Sequence, residues 1–359
     1  MKKSFCIAIA AIVVITIFGA FAYAVTNGDD DNMAKAGDSS KLSDTAGTTE
    51  ISTTIVDVSD KKYSYSNMVT DIKKLTATYP EILKSEVVGK SVDDRDLYCL
   101  IFGNPDAEKQ VFITAGIHAR EYINPQVVMK MVERYCKCYD TNSYKGVKYS
   151  KLFDEICFYI MPMTNPDGIA ISQFGPSAID DVKLRAKVKS LPRNGKYSNW
   201  KANANGVDIN RNFTYYKSTK PSVTKPCSEK YPGKKAFNQP ETRAIRDTLA
   251  SLKNPVAIIN YHSMGNVIYW GYNQTSMKKS CTALKNLFVD MTGYSTIFEN
   301  AKAAESGIGD FCGYIKNEYK VPYVTVENGS GSVPVDPAQF GTIYKRNKLG
   351  FAKVAYMFK

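Results

Sequence analysis

The sequence predicts an α/β fold, with one mixed or largely parallel sheet covered by helices on both faces. Two observations carry that expectation. From about Lys61 onward, short apolar runs of strand length alternate with stretches of helical spacing. Apolar residues make up 44% and charged residues 23% of the 359-residue chain, the balance of a globular protein with a sizeable core. This length accommodates one large domain or two smaller ones. No internal repeat or long low-complexity tract interrupts the pattern.

The elements follow in order. YSNMVTDIKKLTATYP (65–80) has the spacing of an amphipathic helix closed by Pro80, and SEVVGKSVDDRDLYCLIFG (85–103) predicts two strands joined by an acidic turn. VFITAG (111–116) is a strand, and INPQVVMKMVERYCKCY (123–139) is a helix. ICFYIMP (156–162) is a buried strand before an expected turn at Asn165-Pro166-Asp167-Gly168. QPETRAIRDTLASL (239–252) is helical, VAIINYH (256–262) and VPYVTVE (321–327) are strands, and residues 337–359 are helical.

The N-terminus stands apart. After MKK come twenty-one uncharged residues ending in Ala22-Tyr23-Ala24, the pattern of a secretory signal cleaved after Ala24. The rival reading is an uncleaved membrane anchor, since about 20 apolar residues span a bilayer. Either way the remainder is expected outside the cytoplasm, secreted or at a bacterial cell surface. Residues 25–60, rich in Asp, Ser, Thr and Gly, read as a polar linker too short for a pro-domain with its own core. Losing residues 1–24 removes two lysines and no acid, taking the net charge from +12 to +10. That surface is either a lysine-rich soluble one or one attracted to an anionic wall. Export and the lack of a concentrated basic run speak against nucleic acid, and any membrane contact is confined to the N-terminal segment. Cys6 lies in the leader and seven cysteines follow it, an odd number that rules out complete pairing within one mature chain. Most read as small buried hydrophobes, with no disulfide assigned.

The chain has only two histidines, and both follow apolar runs. His118 lies in AGIHAREY (115–122) and His262 in IINYHSMG. In sheets of this kind chemistry gathers at strand carboxyl ends, and His118, His262 and Glu327 all fall there. His118 and Glu121, three residues apart, can converge on a cation. With His262 they make the His₂Glu set that holds catalytic zinc with an open position. The competing reading of a single strand-end histidine is a plain hydrogen-bonding residue, and HxxE alone is a weak signal. Asp208 in GVDINRNF is either the partner for the outer nitrogen of His118 or a turn residue after Gly206. Glu327, a carboxylate ending a buried strand, is either a general base or an ion-pair partner of Arg211. Arg211, between Asn210 and Asn212, suits bidentate capture of a carboxylate, against the alternative of an ordinary surface arginine.

Together GIHAREY (116–122), NPDG (165–168), GVDINRNF (206–213), YHS (261–263) and VTVEN (324–328), in that order, make the chain resemble the zinc carboxypeptidase family over roughly residues 63–355. The resemblance implies a single α/β domain, residues 61–359, with a mixed eight-stranded sheet. It implies one zinc ion held by His118, Glu121 and His262, with Glu327 as general base. It further implies that Asn210 and Arg211 bind a terminal carboxylate, that Arg120 contacts the peptide upstream, and that Asp208 orients His118. The implied protein is a monomeric metallopeptidase acting on peptide or murein-peptide substrates.

Two departures from the family pattern stand out. Carboxypeptidases A and T carry an arginine upstream of GVD that polarises the scissile carbonyl, whereas this chain has Trp200-Lys201-Ala202-Asn203-Ala204-Asn205. Lys201 and Arg193 are the candidate replacements, left unranked. No tyrosine stands between Ser295 and Phe311, where pancreatic-type enzymes place a mobile one. Both departures resemble the bacterial branch that cuts γ-D-glutamyl-diaminopimelate bonds. Gly309 falls at the family's specificity position and is expected to leave room for a bulky substrate. A plain carboxypeptidase, a γ-D-glutamyl peptidase, a related zinc amidase deacylating small amino-acid derivatives and a catalytically weak wall-peptide-binding module are the functions to separate.

Overall fold

The computed structural model describes residues 54–214, 221–299 and 309–359. The leader and the linker up to residue 53 lie outside the described residues. Eight strands form one sheet: β1 (Leu83–Lys90), β2 (Asp96–Phe102), β3 (Lys109–Ala115), β6 (Ile156–Met161), β7 (Pro255–His262), β8 (Val267–Trp270), β9 (Ser295–Phe298) and β10 (Tyr323–Glu327). β4 (Ser143–Tyr144) and β5 (Val147–Lys148) make a separate hairpin. The spatial order is β1-β2-β6-β3-β7-β10-β8-β9. β6, β3, β7 and β10 run parallel at the centre, while β1, β2 and β8 pair antiparallel to their inner neighbours. The expected mixed eight-stranded sheet is present.

The central strands are near-continuous apolar runs because both of their faces are covered. Along β3, Val111 and Ile113 face one core while Phe112 between them faces the other. The larger core lies under α1 (Tyr65–Thr78), α2 (Ile123–Lys137), α3 (Tyr149–Glu155), α7 (Lys278–Thr292), α9 (Phe340–Asn347) and α10 (Gly350–Phe358). The opposite face is covered by α6 (Pro240–Ser251) and α8 (Phe311–Glu318). Phe102, Phe153, Phe158 and Phe351 are fully buried in the first core, each contributing about 1.5–3 kcal/mol by leaving water. A third cluster joins α4 (Pro166–Phe174) and α5 (Val182–Ser190) around the buried Trp200.

Several expectations change. Residues ahead of Lys61 also pack against the domain. Val56 is fully buried in the first core, and the Ile55 N–H donates to Glu133 Oε1 at 2.8 Å. The polar composition of residues 25–60 hid that anchor, because one buried valine and one backbone bond leave little trace in a composition. NPDG starts a helix rather than making a free turn. Asn165 caps α4 by accepting from the Gly168 N–H at 3.0 Å, and Pro166 takes the first turn, where its missing N–H is harmless. Cys99, Cys136, Cys157, Cys281 and Cys312 are buried free thiols, Cys138 and Cys227 are half-buried free thiols, and no disulfide occurs among the described residues. Among the described residues no helix is long and apolar enough to cross a membrane.

Candidate metal centre

The three central strands β3, β7 and β10 end together on one edge of the sheet. His262 and Glu327 are the last residues of β7 and β10 and are register partners. The Asn328 N–H donates to the His262 carbonyl at 2.7 Å, which holds the two strand ends in step. β3 stops at Ala115, and the loop after it carries His118 and Glu121 before α2 begins.

His118, Glu121 and His262 are all buried, and one ligand atom from each lies within 4.8 Å of the others. Both imidazoles turn Nδ1 towards the same carboxylate. His118 Nδ1 is 2.9 Å from Glu121 Oε1, and His262 Nδ1 is 2.9 Å from Glu121 Oε2. The Ser263 N–H also donates to Oε2, at 3.0 Å. Glu121 is held well below the usual carboxylate range because the two histidines outweigh its burial. Burial, reinforced by the Lys201 charge, keeps His118 below its ordinary value, which favours the neutral imidazole a metal needs. Burial opposes protonation of His262, but the charge and hydrogen bond of Glu121 outweigh it and the net shift is upward. Two nitrogens and a carboxylate, converging and shielded from water, fit zinc.

The other predicted residues fall around this triad. Asp208 is fully buried, with Oδ1 3.3 Å from His118 Nε2. The two atoms are close but not aligned as a hydrogen bond. Its Oδ2 accepts from the Lys230 N–H at 3.1 Å and lies 3.8 Å from Lys201 Nζ. Burial pushes Glu327 up to about 7, with His262 pulling it back and Glu121 adding to the rise. Among the described residues no ion pair joins Glu327 to Arg211. Arg211 Nη1 donates instead to the Asn210 carbonyl at 2.7 Å, and Asn210 Oδ1 accepts from the Phe311 N–H at 2.9 Å. Arg120 Nη1 reaches the Asn199 carbonyl at 3.2 Å and Glu229 Oε2 at 3.6 Å.

Sequence reasoning missed the residues that hold the loops together. Asn165 Nδ2 donates both to the Ile117 carbonyl (3.1 Å) and to the Ala202 carbonyl (3.2 Å), joining the His118 loop to the Lys201 loop. Asp167 in the same motif accepts from Ser91 Oγ, the Asp93 N–H and Arg95 Nη1, which fixes the β1–β2 turn. Asn328 Nδ2 donates to Asn124 Oδ1, and Asn124 Nδ2 donates to Ser263 Oγ, each at 3.0 Å, a buried chain behind the metal residues. Asn165 and Asn328 both sit inside quoted motifs, so the signal existed without a role attached. Gly309 does not leave room for a substrate. A Cβ there would meet the Phe213 and Thr214 carbonyls, each at 2.6 Å, so glycine is required by the close approach of another backbone segment.

The family profile described as zinc carboxypeptidase matches residues 68–328. The chain belongs to that family. It is therefore a zinc metallopeptidase, and its His-Glu-His cluster is the candidate site for the family's metal. It is 30% identical over 289 residues to "Gamma-D-glutamyl-L-diamino acid endopeptidase 1" of Lysinibacillus sphaericus, an alignment covering 79% of this chain and 70% of that protein. It is 29% identical over 218 residues to the mast cell carboxypeptidase A of Homo sapiens, covering 60% of this chain and 48% of that protein. Among solved structures, thrombin activatable fibrinolysis inhibitor superposes with a TM-score of 0.66 at 21% identity, over 85% of this chain and 77% of that one. That likeness is one of fold.

Proposed function

We propose that this metallopeptidase hydrolyses an amide bond beside a free carboxylate, with Glu327 as general base and His118, Glu121 and His262 as the zinc ligands. The observation that carries the reading is the register pairing of Glu327 with His262, which sets a carboxylate of raised pKa against the metal triad. Zinc, when bound, supplies a Lewis acid that polarises a carbonyl and makes water a nucleophile at neutral pH. Glu327 takes a proton from the attacking water and returns it to the amine nitrogen as the C–N bond breaks, leaving an acid and an amine. Arg211, steered by its bond to the Asn210 carbonyl, meets the substrate carboxylate. Asn210 has its side-chain oxygen occupied by Phe311, so its amide nitrogen is the group left to donate. Arg120 contacts the peptide upstream of the cleaved bond, and Asp208 sets the His118 ring.

Within that reading, γ-D-glutamyl–diamino acid peptides of the cell wall are the favoured substrate class. The Lysinibacillus sphaericus relative supports this, being named for such bonds and aligned over most of its length. Export through the apolar leader, and action as a monomer on wall peptides, belong to the same proposal. The test is mass spectrometry of the zinc-loaded protein offered an ordinary L-peptide mixture and, in parallel, L-Ala-γ-D-Glu-diaminopimelate. Cleavage of the second, abolished by a chelator and by Glu327→Gln, is expected. Release of C-terminal residues from the first alone makes it a plain carboxypeptidase. Zinc binding with no cleavage of either overturns the enzymatic reading in favour of a wall-peptide-binding module.

A further inference from the structure

A carbonyl attacked by water gathers negative charge on its oxygen, and a preorganised donor facing that oxygen is commonly the largest single aid to such a reaction. Four cations of the sequence are candidates, and their placement separates them. Arg193 is exposed and lies over the Tyr197 ring, 4.4 Å from its centre. Arg120 and Arg211 have Nη1 engaged by the Asn199 and Asn210 carbonyls. Lys201 differs from all three. Its side chain is only 16% exposed, and its nearest ionic partner, Asp208 Oδ2, is 3.8 Å from Nζ, beyond hydrogen-bond length. Asp208 Oδ2 is already satisfied by the Lys230 N–H. Asp208 in turn stands 3.3 Å from His118 Nε2, so the Lys201 charge sits beside the metal cluster.

The backbone explains how a long side chain keeps that position. The Lys201 carbonyl accepts from the Ala119 N–H at 3.1 Å, next to His118, and the Lys201 N–H donates to the Ser228 carbonyl at 3.0 Å. Asn165 clamps the flanking residues Ile117 and Ala202 from the other side. A Cβ at Gly168 would collide with the Ala202 carbonyl, so α4 packs directly against this loop. The root of Lys201 is thus tied to the metal loop by one direct hydrogen bond and by the Asn165 bridge beside it.

We propose that Lys201 is the donor that stabilises the scissile carbonyl oxygen, its ammonium hydrogen-bonding the developing oxyanion without giving up a proton. The inference rests on the hydrolytic reading above. An ammonium offers a compact charge in place of a planar fork, so it supports the oxygen without a fixed bidentate geometry.

The test compares the zinc-loaded full chain with Lys201→Met and Lys201→Arg. The readouts are kcat and KM on whichever peptide the parent cleaves, the affinity for a phosphinic analogue of that peptide and for its cleavage product, and zinc affinity by chelator competition. Lys201→Met should lower kcat about 10²–10³-fold, with KM changed less than threefold. It should weaken the tetrahedral phosphinic analogue by a similar factor and leave product and zinc affinity unchanged. Lys201→Arg should recover much of both losses. The proposal is overturned if Lys201→Met keeps kcat and analogue affinity within threefold. It is equally overturned if the losses follow weakened zinc binding, which would make Lys201 a counter-charge for Asp208. If the parent cleaves no peptide, the hydrolytic reading fails on its own. The affinity ratio between the phosphinic analogue of L-Ala-γ-D-Glu-diaminopimelate and that uncleaved peptide then still decides the role of Lys201.

Discussion

Glu327 and His262 stand in register at the ends of neighbouring parallel strands, and the Asn328 N–H locks the pair by donating to the His262 carbonyl at 2.7 Å. A carboxylate placed this way depends on the sheet for its position rather than on a loop. Glu327→Gln keeps the shape and the strand pairing but removes the proton acceptor. It should lower kcat by about 10²–10⁴-fold while zinc stoichiometry, read by metal analysis, stays at the parent value.

Glu121 is the hub of the metal cluster, facing His118 and His262 through separate oxygens and accepting from the Ser263 N–H. Glu121→Ala removes one of the three proposed ligands and leaves the Ser263 donor unpaired. Zinc affinity should fall by at least 10²-fold in chelator competition, with a smaller loss of thermal stability in the metal-free protein, about 1–3 kcal/mol for an unsatisfied buried donor.

Arg95 donates through one nitrogen to both Asp93 and Asp167, each at 2.7 Å, and Asp167 is fully buried. Arg95→Ala strands that carboxylate among its remaining neutral donors. Denaturant unfolding should show a loss of about 3–5 kcal/mol. Because Asp167 ties the β1–β2 turn to α4, the loss should appear with zinc affinity intact.

Glu241 is fully buried in α6, and burial together with the charge of Asp167 raises it from 4.5 to about 7. A carboxyl whose folded pKa lies above its unfolded one favours folding when protonated. Its contribution is complete below about pH 4.5 and is lost as the pH rises through 7. Melting temperatures of the metal-free protein should include a component that falls between these limits. Glu241→Gln, neutral throughout, should remove that component and raise stability at pH 8 relative to pH 5.

Gly309→Ala tests the correction to the specificity expectation. The added methyl meets two backbone carbonyls at 2.6 Å, so the expected outcome is a stability loss of about 1–3 kcal/mol. A change of substrate preference at full stability would contradict it.

The strands that carry the chemistry were legible because burial on both faces writes them as uninterrupted apolar runs. VFITA, ICFYIM and VAIINYH announce themselves, and a glycine, a proline and a serine follow them. β8 and β9 were not legible. β9 has all four residues exposed at the sheet edge, and β8 has only four residues, so neither has a period long enough to read. Helices α5, α7 and α8 also went unread, two of them short and the third rich in lysine and polar residues.

The site divides in the same way. Sequence by itself determined which residues are chemically able to act: the only two histidines, the nearby Glu121, the strand-end Glu327, and the Asp208–Asn210–Arg211 group, all in family order. It also determined the sheet class, because side-chain period and apolar run length are local properties of the chain. Tertiary structure alone decided the rest. It placed Lys201 Nζ 3.8 Å from the buried Asp208 and left Arg193 over a tyrosine ring. It gave NPDG its role as a clamp between two loops, and it explained Gly309 by a backbone 95 residues away in the chain at Thr214. Those facts depend on which segments the folded chain brings within a few ångströms, and no local pattern of residue types encodes a distance between remote parts of the chain.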